Sequence, residues 1–322
     1  MVKLFRVAIF VVGVLPEALG RAIFDLIGTA VGLSNIKGVR QLRTNYHRIV
    51  PLSGWAARRR SARAMRSYFR YYYEAFRLPA LTPAQISSRV KLVNGEKLQE
   101  LIATGGSASG ALMHMGNWDL AGAWAGEFLA PVHTIAEKLE PPELAELFLG
   151  FRRDLGMTIY HAVRGGGAIR NLTADMAQET CFVPLLCDRD LSATGVEVKL
   201  CGHPVRVAVG AALLAQRTGQ PMFPVTIVTS NFKDDAARVR AAGTNWGIDL
   251  IVGDPIWAHP AQTTAEREAD LVRMNQEWLD QVSELLPQYL EDWHMLQKVF
   301  VADLDQERLA KSRQKVVDRE EQ

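Results

Sequence analysis

The sequence predicts an α/β fold in which helices flank a mostly parallel central sheet. From about residue 85 onwards, short apolar segments alternate with amphipathic ones. Alternation of this kind places successive strands side by side in one sheet, with the connecting helices on its faces. No internal repeat and no Gly- or Ser-rich linker divides the 322 residues, so we expect one domain with a helical N-terminal extension.

The composition is that of a globular protein, because 48% of the residues are apolar and 22% are charged. The net charge of +2 is unevenly distributed: residues 1–80 contain 14 Lys and Arg against three acidic residues, a local charge of +11. This asymmetry predicts an anionic partner at the N-terminal end, either a membrane surface or nucleic acid. The three cysteines match neither a zinc spacing nor a disulfide framework, which favours a reducing compartment.

The first 34 residues form two apolar segments that are interrupted by charged residues. The first, LFRVAIFVVGVLP, is shorter than the roughly 20 residues that span a bilayer, and no small-residue cleavage site of a signal peptide stands out after it. Scattered charges on an otherwise apolar helix are typical of helices that lie in the membrane interface. We therefore expect an interfacial anchor, with a buried helical hairpin as the alternative.

Residues 56–77 carry arginine at helical spacing, in the order Arg59, Arg63, Arg66 and Arg70, with Tyr and Phe between them. Basic and aromatic residues together suit a lipid headgroup region. They also suit an RNA-binding arm, or a solvated basic face above a tyrosine-packed underside. No nucleic-acid-binding module follows, so we predict that residues 1–80 are a helical membrane-associating segment and that nucleic acid is not a partner.

Residues 81–304 carry the predicted α/β core, and the charged residues 305–322 form a C-terminal tail. The predicted strands are SGALMHM (109–115), VHTIAE (132–137), MTIY, CFVPLLCD, VEVKL, MFPVTIV and IDLIVGD. The predicted helices are NWDLAGAWAGEFLA, PELAELFLGFRRDLG, GAIRNLTADMAQE, AVGAALLAQRTG and residues 263–286. Asn117 is a suitable N-cap for the first of these helices.

The segment ALMHMGNWDLAGAW carries the main chemical signal of the sequence. His114 follows a predicted strand, at the edge where open α/β sheets present ligand sites, and Asp119 lies in the first turn of the next helix. A carboxylate there can accept the imidazole Nδ1–H and stabilise the cation that forms when the histidine removes a proton. The pair therefore predicts a general base.

The nucleophile for that base is not a serine of the chain. GGSASG has Ala108 where the nucleophile elbow of a hydrolase needs serine. A His–Asp pair without its own nucleophile suits a reaction in which a substrate hydroxyl attacks an activated acyl group. Metal binding by His114 is the competing interpretation, but no second ligand lies at zincin spacing, so no metal site is predicted.

HMGNWD fits the H-x4-D signature of glycerolipid and lipid A acyltransferases. IAEKLEPPEL, FRRDLG, CDRDLSATGVEVKLCGHP and DWHMLQKVF resemble segments of the phosphatidylinositol mannoside acyltransferases of mycobacteria and their relatives. The resemblance extends from the basic helix to residue 304. It implies the glycerolipid acyltransferase-like form of the α/β fold.

The resemblance also implies an activity: transfer of a long-chain, palmitoyl-like acyl group from acyl-CoA to a mannose hydroxyl of a phosphatidylinositol mannoside. Acyl-CoA would be a co-substrate, and no cofactor is implied. The protein would act peripherally at the cytoplasmic face of the plasma membrane, on its anionic surface. An acyltransferase acting on a lipid A-like acceptor, or a non-catalytic lipid-binding protein of the same fold, are the alternatives.

The same resemblance assigns roles to residues. His114 would be the base, and the catalytic carboxylates would be Asp119 and Asp188, either of which could partner the histidine. The substrate-binding residues would be Asn117, Glu137, Arg152, Arg189 and Asp190. The family usually has Glu where this chain has Asp188, and the shorter carboxylate must approach His114 more closely or act through a water.

Overall fold

A computed structural model describes residue 12 and residues 15–136, 150, 152–161, 167–190 and 195–305. Glu137 and most of the first predicted anchor segment and of the C-terminal tail lie outside these residues. The predicted α/β fold, a mostly parallel central sheet flanked by helices, is confirmed. Within the described part of the chain, one five-stranded sheet has the order β1-β9-β8-β2-β5.

The strands of this sheet are β1 (Val90–Val93), β2 (Ala108–Leu112), β5 (Phe182–Leu186), β8 (Met222–Asn231) and β9 (Trp246–Val252). β1 pairs with β9, and β2 with both β5 and β8, in parallel, whereas β8 and β9 are antiparallel. The predicted strand over 109–115 ends early, so His114 lies two residues beyond β2.

Three predicted strands lie outside the central sheet. β3 (His133–Ala136) and β4 (Thr158–His161) form a separate parallel pair, and β6 (Val196–Leu200) pairs with β7 (His203–Val207) in an antiparallel hairpin. Strand β7 was not predicted, and neither was β1. Short strands are hard to assign from sequence, because a few apolar residues give little periodicity.

Two hydrophobic cores cover the two faces of the sheet. One lies under α4 (Pro83–Arg89), α5 (Glu96–Ala103) and α6 (Trp118–Phe128). The other lies under α7 (Gly167–Gln178), α8 (Gly210–Thr218) and α10 (Thr264–Leu285), and α9 (Ala236–Ala242) precedes β9. Successive residues of β2 alternate between the cores, since Ala111 packs in the second and Leu112 in the first.

The N-terminal helices are α1 (Glu17–Leu33), α2 (Lys37–Ile49) and α3 (Gly54–Arg77). α1 packs closely on α3, because a Cβ atom added at Gly32 would lie 2.4 Å from the Ala62 backbone. Among the described residues, no single helix is long and apolar enough to cross a membrane. The pair α1 and α2 passes that test together, by length and composition only, and is bent by 77°.

Candidate active site

His114 and Asp188 form the central pair of the site. β2 and β5 are neighbouring parallel strands, with Leu112 paired to Leu186, so the residues that follow them meet at the same sheet edge. The Asp188 Oδ1 atom lies 2.5 Å from the His114 Nδ1 atom. The Asp188 Oδ2 atom accepts the backbone N–H of His114 at 3.1 Å and the indole N–H of Trp293 at 2.9 Å.

The environment of Asp188 favours its ionised form. Burial alone would raise the pKa of this carboxyl, but the facing His114 imidazole and the hydrogen bonds from His114 and Trp293 lower it below its usual value. An ionised carboxylate can only accept, so the Nδ1 atom of His114 carries the proton. The neutral ring then presents a basic Nε2 atom, which is the tautomer that a general base requires.

The side chains of Asp188 and His114 differ in their exposure to solvent. The Asp188 side chain is 1% exposed and the His114 side chain is 39% exposed. The carboxylate is therefore shielded from water while the imidazole reaches the surface. The shorter carboxylate of Asp188 contacts His114 directly, without an intervening water.

Asp119 does not contact His114 and faces Arg152 instead. Its Oδ1 atom accepts the Arg152 Nε–H at 2.6 Å, and its Oδ2 atom accepts the Tyr71 hydroxyl at 2.8 Å. Of the two carboxylates that the sequence offered as partners of His114, Asp188 is therefore the one in contact with the imidazole. The first turn of α6 directs the carboxylate away from the sheet edge, towards α3 and the helical turn at 152–154.

In the Asp119–Arg152–Tyr71 cluster, the pKa shifts keep Arg152 charged and Tyr71 protonated. Burial would lower the pKa of Arg152, but Asp119 and Tyr71 raise it above its usual value. Burial and the adjacent Asp119 raise the pKa of Tyr71 well above its usual value, so its hydroxyl stays protonated and donates. The cluster thus holds a guanidinium group at the edge of the site.

Asn117, predicted to bind substrate, forms two hydrogen bonds within the protein. Its Oδ1 atom accepts the backbone N–H of Leu120 at 3.0 Å, which caps α6, and its Nδ2 atom donates to Glu74 at 2.9 Å. The residue is buried, so both of its polar atoms serve the protein. The N-cap prediction is confirmed.

The other predicted substrate-binding residues lie at the margin of the site. Arg189 is half-buried, and its Nε–H donates to the backbone carbonyl of Lys298 at 3.1 Å. Asp190 is also half-buried, and its backbone N–H donates to the carbonyl of Arg206 at 3.0 Å. Glu137 lies outside the described residues.

The DWH segment at 292–294 is the part of the site that residue-level reasoning missed. The backbone N–H of Gly116 donates to Asp292 at 2.9 Å, and that of His294 donates to His114 at 2.8 Å. Gly116 itself adopts a φ of +62°, which favours glycine. DWHMLQKVF was recognised as a family motif, but nothing in its pattern linked it to a histidine far earlier in the chain.

His294 is a buried, neutral histidine beside His114. Burial, together with the nearby His114, lowers its pKa to about 3. Its Nε2 atom lies 3.1 Å from the Ser67 hydroxyl, which donates to Asp292 at 2.6 Å. Its Nδ1 atom has no hydrogen-bond partner among the residues that the structure describes.

An aromatic wall, defined here as Tyr68, Tyr71, Trp118 and His294, lines one side of His114. The ring centroids of Tyr71 and Trp118 lie 4.2 Å apart, and those of Trp118 and His114 lie 6.0 Å apart. Aromatic faces of this kind offer a large, rigid apolar surface with polar tips. The wall therefore suits a substrate group that has both apolar faces and hydroxyls, such as a sugar ring.

An apolar cavity of about 40 Å³ begins next to the site. One wall is a face of α6, from Trp118 through Ala121 and Ala125 to Leu129. The opposite wall is the central sheet, and includes Leu112, two residues before His114. Its lining consists of apolar and aromatic side chains and suits a hydrocarbon chain.

One group of described residues could offer ligands to a metal ion: His133, Asp175 and Glu179. The His133 Nδ1 atom is hydrogen-bonded to Asp175 at 2.7 Å, and its Nε2 atom lies 3.5 Å from Glu179. His133 begins β3, beside the start of β5, whereas His114 lies at the other end of the sheet. The group is therefore remote from the His114 site.

The chain is similar to several known proteins. The family model of bacterial lipid A biosynthesis acyltransferases matches residues 2–301. A phosphatidylinositol mannoside acyltransferase of Mycolicibacterium smegmatis is 30% identical over 92% of this chain and 90% of that protein. A protein of the same name from Mycobacterium tuberculosis is 30% identical over 93% of this chain and 88% of that protein. A solved structure, the 1-acyl-sn-glycerophosphate acyltransferase of Thermotoga maritima, is 16% identical, with a TM-score of 0.32, and covers 79% of this chain and 97% of that chain.

Proposed function

The chain belongs to the bacterial lipid A biosynthesis acyltransferase family, and we propose that it transfers a long acyl chain from acyl-CoA to a sugar hydroxyl of a phosphatidylinositol mannoside. The observation that carries this proposal is the His114–Asp188 pair, which opens to the surface between an aromatic wall and an apolar cavity. The names of the two mycobacterial relatives support the choice of acceptor.

The reaction follows from the tautomer of His114. The Nε2 atom removes the proton of the acceptor hydroxyl while its oxygen attacks the thioester carbonyl carbon. The buried Asp188 carboxylate stabilises the imidazolium that forms. When the carbon–sulfur bond breaks, the imidazolium returns the proton to the departing CoA sulfur, so the enzyme ends in its starting state.

The cavity and Arg152 supply the contacts that a lipid donor needs. The apolar cavity accepts the acyl chain, and each methylene buried there contributes about 0.8 kcal/mol. Asp119 and Tyr71 hold the Arg152 guanidinium, which suits a phosphate of CoA or of the inositol phospholipid. The lipid substrate also implies a peripheral position at the cytoplasmic face of the plasma membrane.

A lipid A-like glycolipid is the second candidate acceptor, because the matching family model carries that description. A lipid-binding protein without activity is disfavoured. A buried carboxylate that fixes the tautomer of a surface-exposed histidine has no evident use in binding alone.

The test is an acyl-transfer assay with labelled palmitoyl-CoA and a panel of polar lipid acceptors, phosphatidylinositol mannosides and lipid A precursors included. We expect labelled product with the mannosides, and a loss of about 10²–10⁴-fold in rate for His114→Ala. His47→Ala, which changes an exposed histidine of α2 that is hydrogen-bonded to Leu52, is the matched control. Wild-type turnover by a folded His114→Ala protein, or transfer to none of the acceptors, would refute the proposal.

A further inference from the structure

Asn117 and Asp119, the residues on either side of Trp118, are both held by helix α3. The Tyr71 hydroxyl donates to the Asp119 Oδ2 atom at 2.8 Å. The Asn117 Nδ2 atom donates to the Glu74 Oε2 atom at 2.9 Å. Tyr71 and Glu74 are three residues apart, so they lie on the same side of α3. We define these two hydrogen bonds as the clamp, because together they fix the first turn of α6 against one helix at two points.

Trp118, between the two clamped residues, contributes to both apolar surfaces of the site. The centroid of its indole ring lies 4.2 Å from that of Tyr71 and 6.0 Å from that of His114. Trp118 also lines the apolar cavity, one helical turn before Ala121 and Gly122. A shift of the first turn of α6 would therefore displace the indole ring from the aromatic wall and from the cavity lining together.

Glu74 determines the orientation of the Asn117 amide. Asn117 is 3% exposed, so water does not compete for its polar atoms. The backbone N–H of Leu120 is a donor and requires the amide oxygen, whereas the Glu74 carboxylate is an acceptor and requires the amide nitrogen. Only one of the two amide orientations satisfies both neighbours. Without Glu74 the amide nitrogen would be a buried donor that has lost its acceptor, which is costly.

Glu74 is held in turn by Arg21 of α1. The Arg21 Nη1 atom donates to the Glu74 Oε1 atom at 2.6 Å, and its guanidinium lies over Trp246, 5.0 Å from the ring centroid. A carboxylate in the interior is tolerated when a cation neutralises it and its oxygens are hydrogen-bonded. Arg21 binds one oxygen and Asn117 the other, so both oxygens of Glu74 have a fixed direction.

We propose that Glu74 is a positioning residue for acyl transfer: through Asn117 it holds the first turn of α6, and with it Trp118, in place beside His114. The proposal rests on the proposed function, because it concerns the substrate contacts of that site. A cap that only stabilised α6 would need no partner, since serine and threonine cap helices with a single oxygen. Here the amide nitrogen of the cap is bound to a carboxylate of another helix, which relates the start of α6 to α3.

Loss of this contact should affect substrate binding more than the chemical step. The His114–Asp188 pair is held by Trp293 and by backbone groups, and the clamp forms none of its hydrogen bonds. A displaced Trp118 weakens contacts that exist both before and during the reaction. Such a loss raises KM and changes kcat little.

The test is an isosteric exchange of the two interacting groups. In Glu74→Gln the new amide has one oxygen for two donors, Arg21 and Asn117, so one donor loses its acceptor. In Asn117→Asp two carboxylates face each other. In the double variant Glu74→Gln/Asn117→Asp the amide donates to the new aspartate, which still caps α6, while its oxygen accepts from Arg21. Every hydrogen bond is then restored with the donor and acceptor exchanged.

We expect each single variant to raise the KM for acyl-CoA and for the acceptor about tenfold, and the double variant to return both to the wild-type values. The assays are run at a temperature at which all the variants are folded. Thr263→Ala is the matched control, because the Thr263 Oγ1 atom caps α10 by accepting the backbone N–H of Glu266 at 3.1 Å. It should lower the melting temperature and leave both KM values unchanged.

Three results would overturn the proposal. Single variants with a lowered melting temperature and wild-type KM values would show that the cap only stabilises the fold. A folded double variant with raised KM values would show that Asn117 or Glu74 contacts substrate itself. A double variant that does not fold would show that the two groups are not complementary partners. The double variant therefore decides even where a single variant fails to fold.

Hydrogen exchange separates this inference from the function on which it rests. The Leu120 amide should exchange faster in Glu74→Gln than in the wild type, and at the wild-type rate in the double variant, whether or not acyl transfer is observed. A wild-type protein that transfers no acyl chain would refute the function, and this exchange pattern would still show that Glu74 holds the start of α6. Unchanged exchange in Glu74→Gln would refute the positioning by Glu74 in an enzyme that is otherwise active.

Discussion

Two buried carboxylates lie near His114, and their different partners give them different tasks. Asp188 touches the imidazole and accepts a second hydrogen bond from Trp293. Asp119 touches the Arg152 guanidinium. A carboxylate beside the base stabilises charge that develops during the reaction, whereas one paired to a permanent cation holds charge that is present throughout. The two substitutions to asparagine should therefore differ in kind.

Asp188→Asn should lower kcat by about 10²–10⁴-fold with little change in KM, because it weakens stabilisation of the imidazolium. Asp119→Asn should raise KM and lower the melting temperature, since Arg152 loses its buried counter-charge. Asp188→Glu should keep at least partial activity. Steady-state kinetics and thermal unfolding of the three variants check this, and the assignment is reversed if Asp188→Asn is fully active while Asp119→Asn is folded, binds substrate and is inactive.

The lowered pKa of His294 predicts how the stability of the fold depends on pH. Its pKa is lowered to about 3 by burial and by His114, whereas an unfolded histidine titrates near 6.5. The unfolded chain therefore binds a proton that the folded chain does not, and this contribution to stability is complete above about pH 6.5 and is lost as the pH falls towards 3.

As the pH is lowered below 6, His294 should therefore contribute a decrease of about 1.4 kcal/mol per pH unit to the free energy of unfolding. We expect urea denaturation at several pH values to show that the free energy of unfolding falls less steeply with decreasing pH in His294→Gln than in the wild type. Tyr68→Phe, which changes the same aromatic wall without removing an imidazole, should keep the wild-type slope. An unchanged slope in His294→Gln would show that His294 titrates in the folded protein as it does in the unfolded one.

Helices α3 and α6 position most of the site between them. α3 supplies Ser67 and Tyr71 from one side while it binds α1 with the other. α6 starts at the Asn117 cap and carries Trp118 and Asp119 in its first turn. Its cavity face continues away from the site for nearly three turns, to Leu129. In the proposed function, the length of this face would set the depth available to an acyl chain.

Ala125→Phe should shorten the acyl chain that the protein prefers. The side chain would fill the cavity beyond Ala121, so the outer methylenes of a long chain lose their burial, at about 0.8 kcal/mol each. The ratio of kcat/KM for palmitoyl-CoA to that for decanoyl-CoA should fall roughly tenfold or more. Phe128→Ala, an exposed change on the same helix, should leave the ratio unchanged; an unaltered ratio in folded Ala125→Phe would place the chain elsewhere.

At the scale of the whole molecule, positive charge and apolar surface collect in the N-terminal helices. Residues 1–80 carry a net charge of +11, and the rest of the chain is acidic. The sheet presents the site towards these helices rather than away from them. This distribution suits the proposed contact with an anionic lipid surface.

The arginines of α3 should divide into two classes. Arg58→Gln/Arg59→Gln should weaken binding to anionic vesicles by about 1 kcal/mol for each charge removed, with the difference vanishing at high salt. Arg70→Gln should instead lower the free energy of unfolding, because Asp25 loses its partner and Trp246 loses a guanidinium contact. Vesicle sedimentation at two salt concentrations and urea denaturation separate the classes. Equal effects of all three substitutions on vesicle binding would restore a single arginine ridge.

The local features of this protein were predictable from its sequence. Alternating apolar and amphipathic segments predict the α/β fold, the helix over 56–77 and the helix over 263–286, all of which are present. The position of His114 after a strand and the Asn117 cap were predictable as well. Each of these depends on residues within a few positions of one another, and local sequence determines such features through periodicity and capping.

The contacts between distant segments were decided by the tertiary structure alone. Asp188 reaches His114 across 74 residues, and Trp293 reaches Asp188 across 105. The sequence offered two carboxylates without choosing between them, and it gave no role to the DWH segment. It also presented four arginines as one ridge, although two of these arginines form ion pairs within the protein. Periodicity shows which side of an element is buried, but the register of neighbouring strands and the packing of helices determine which buried groups meet.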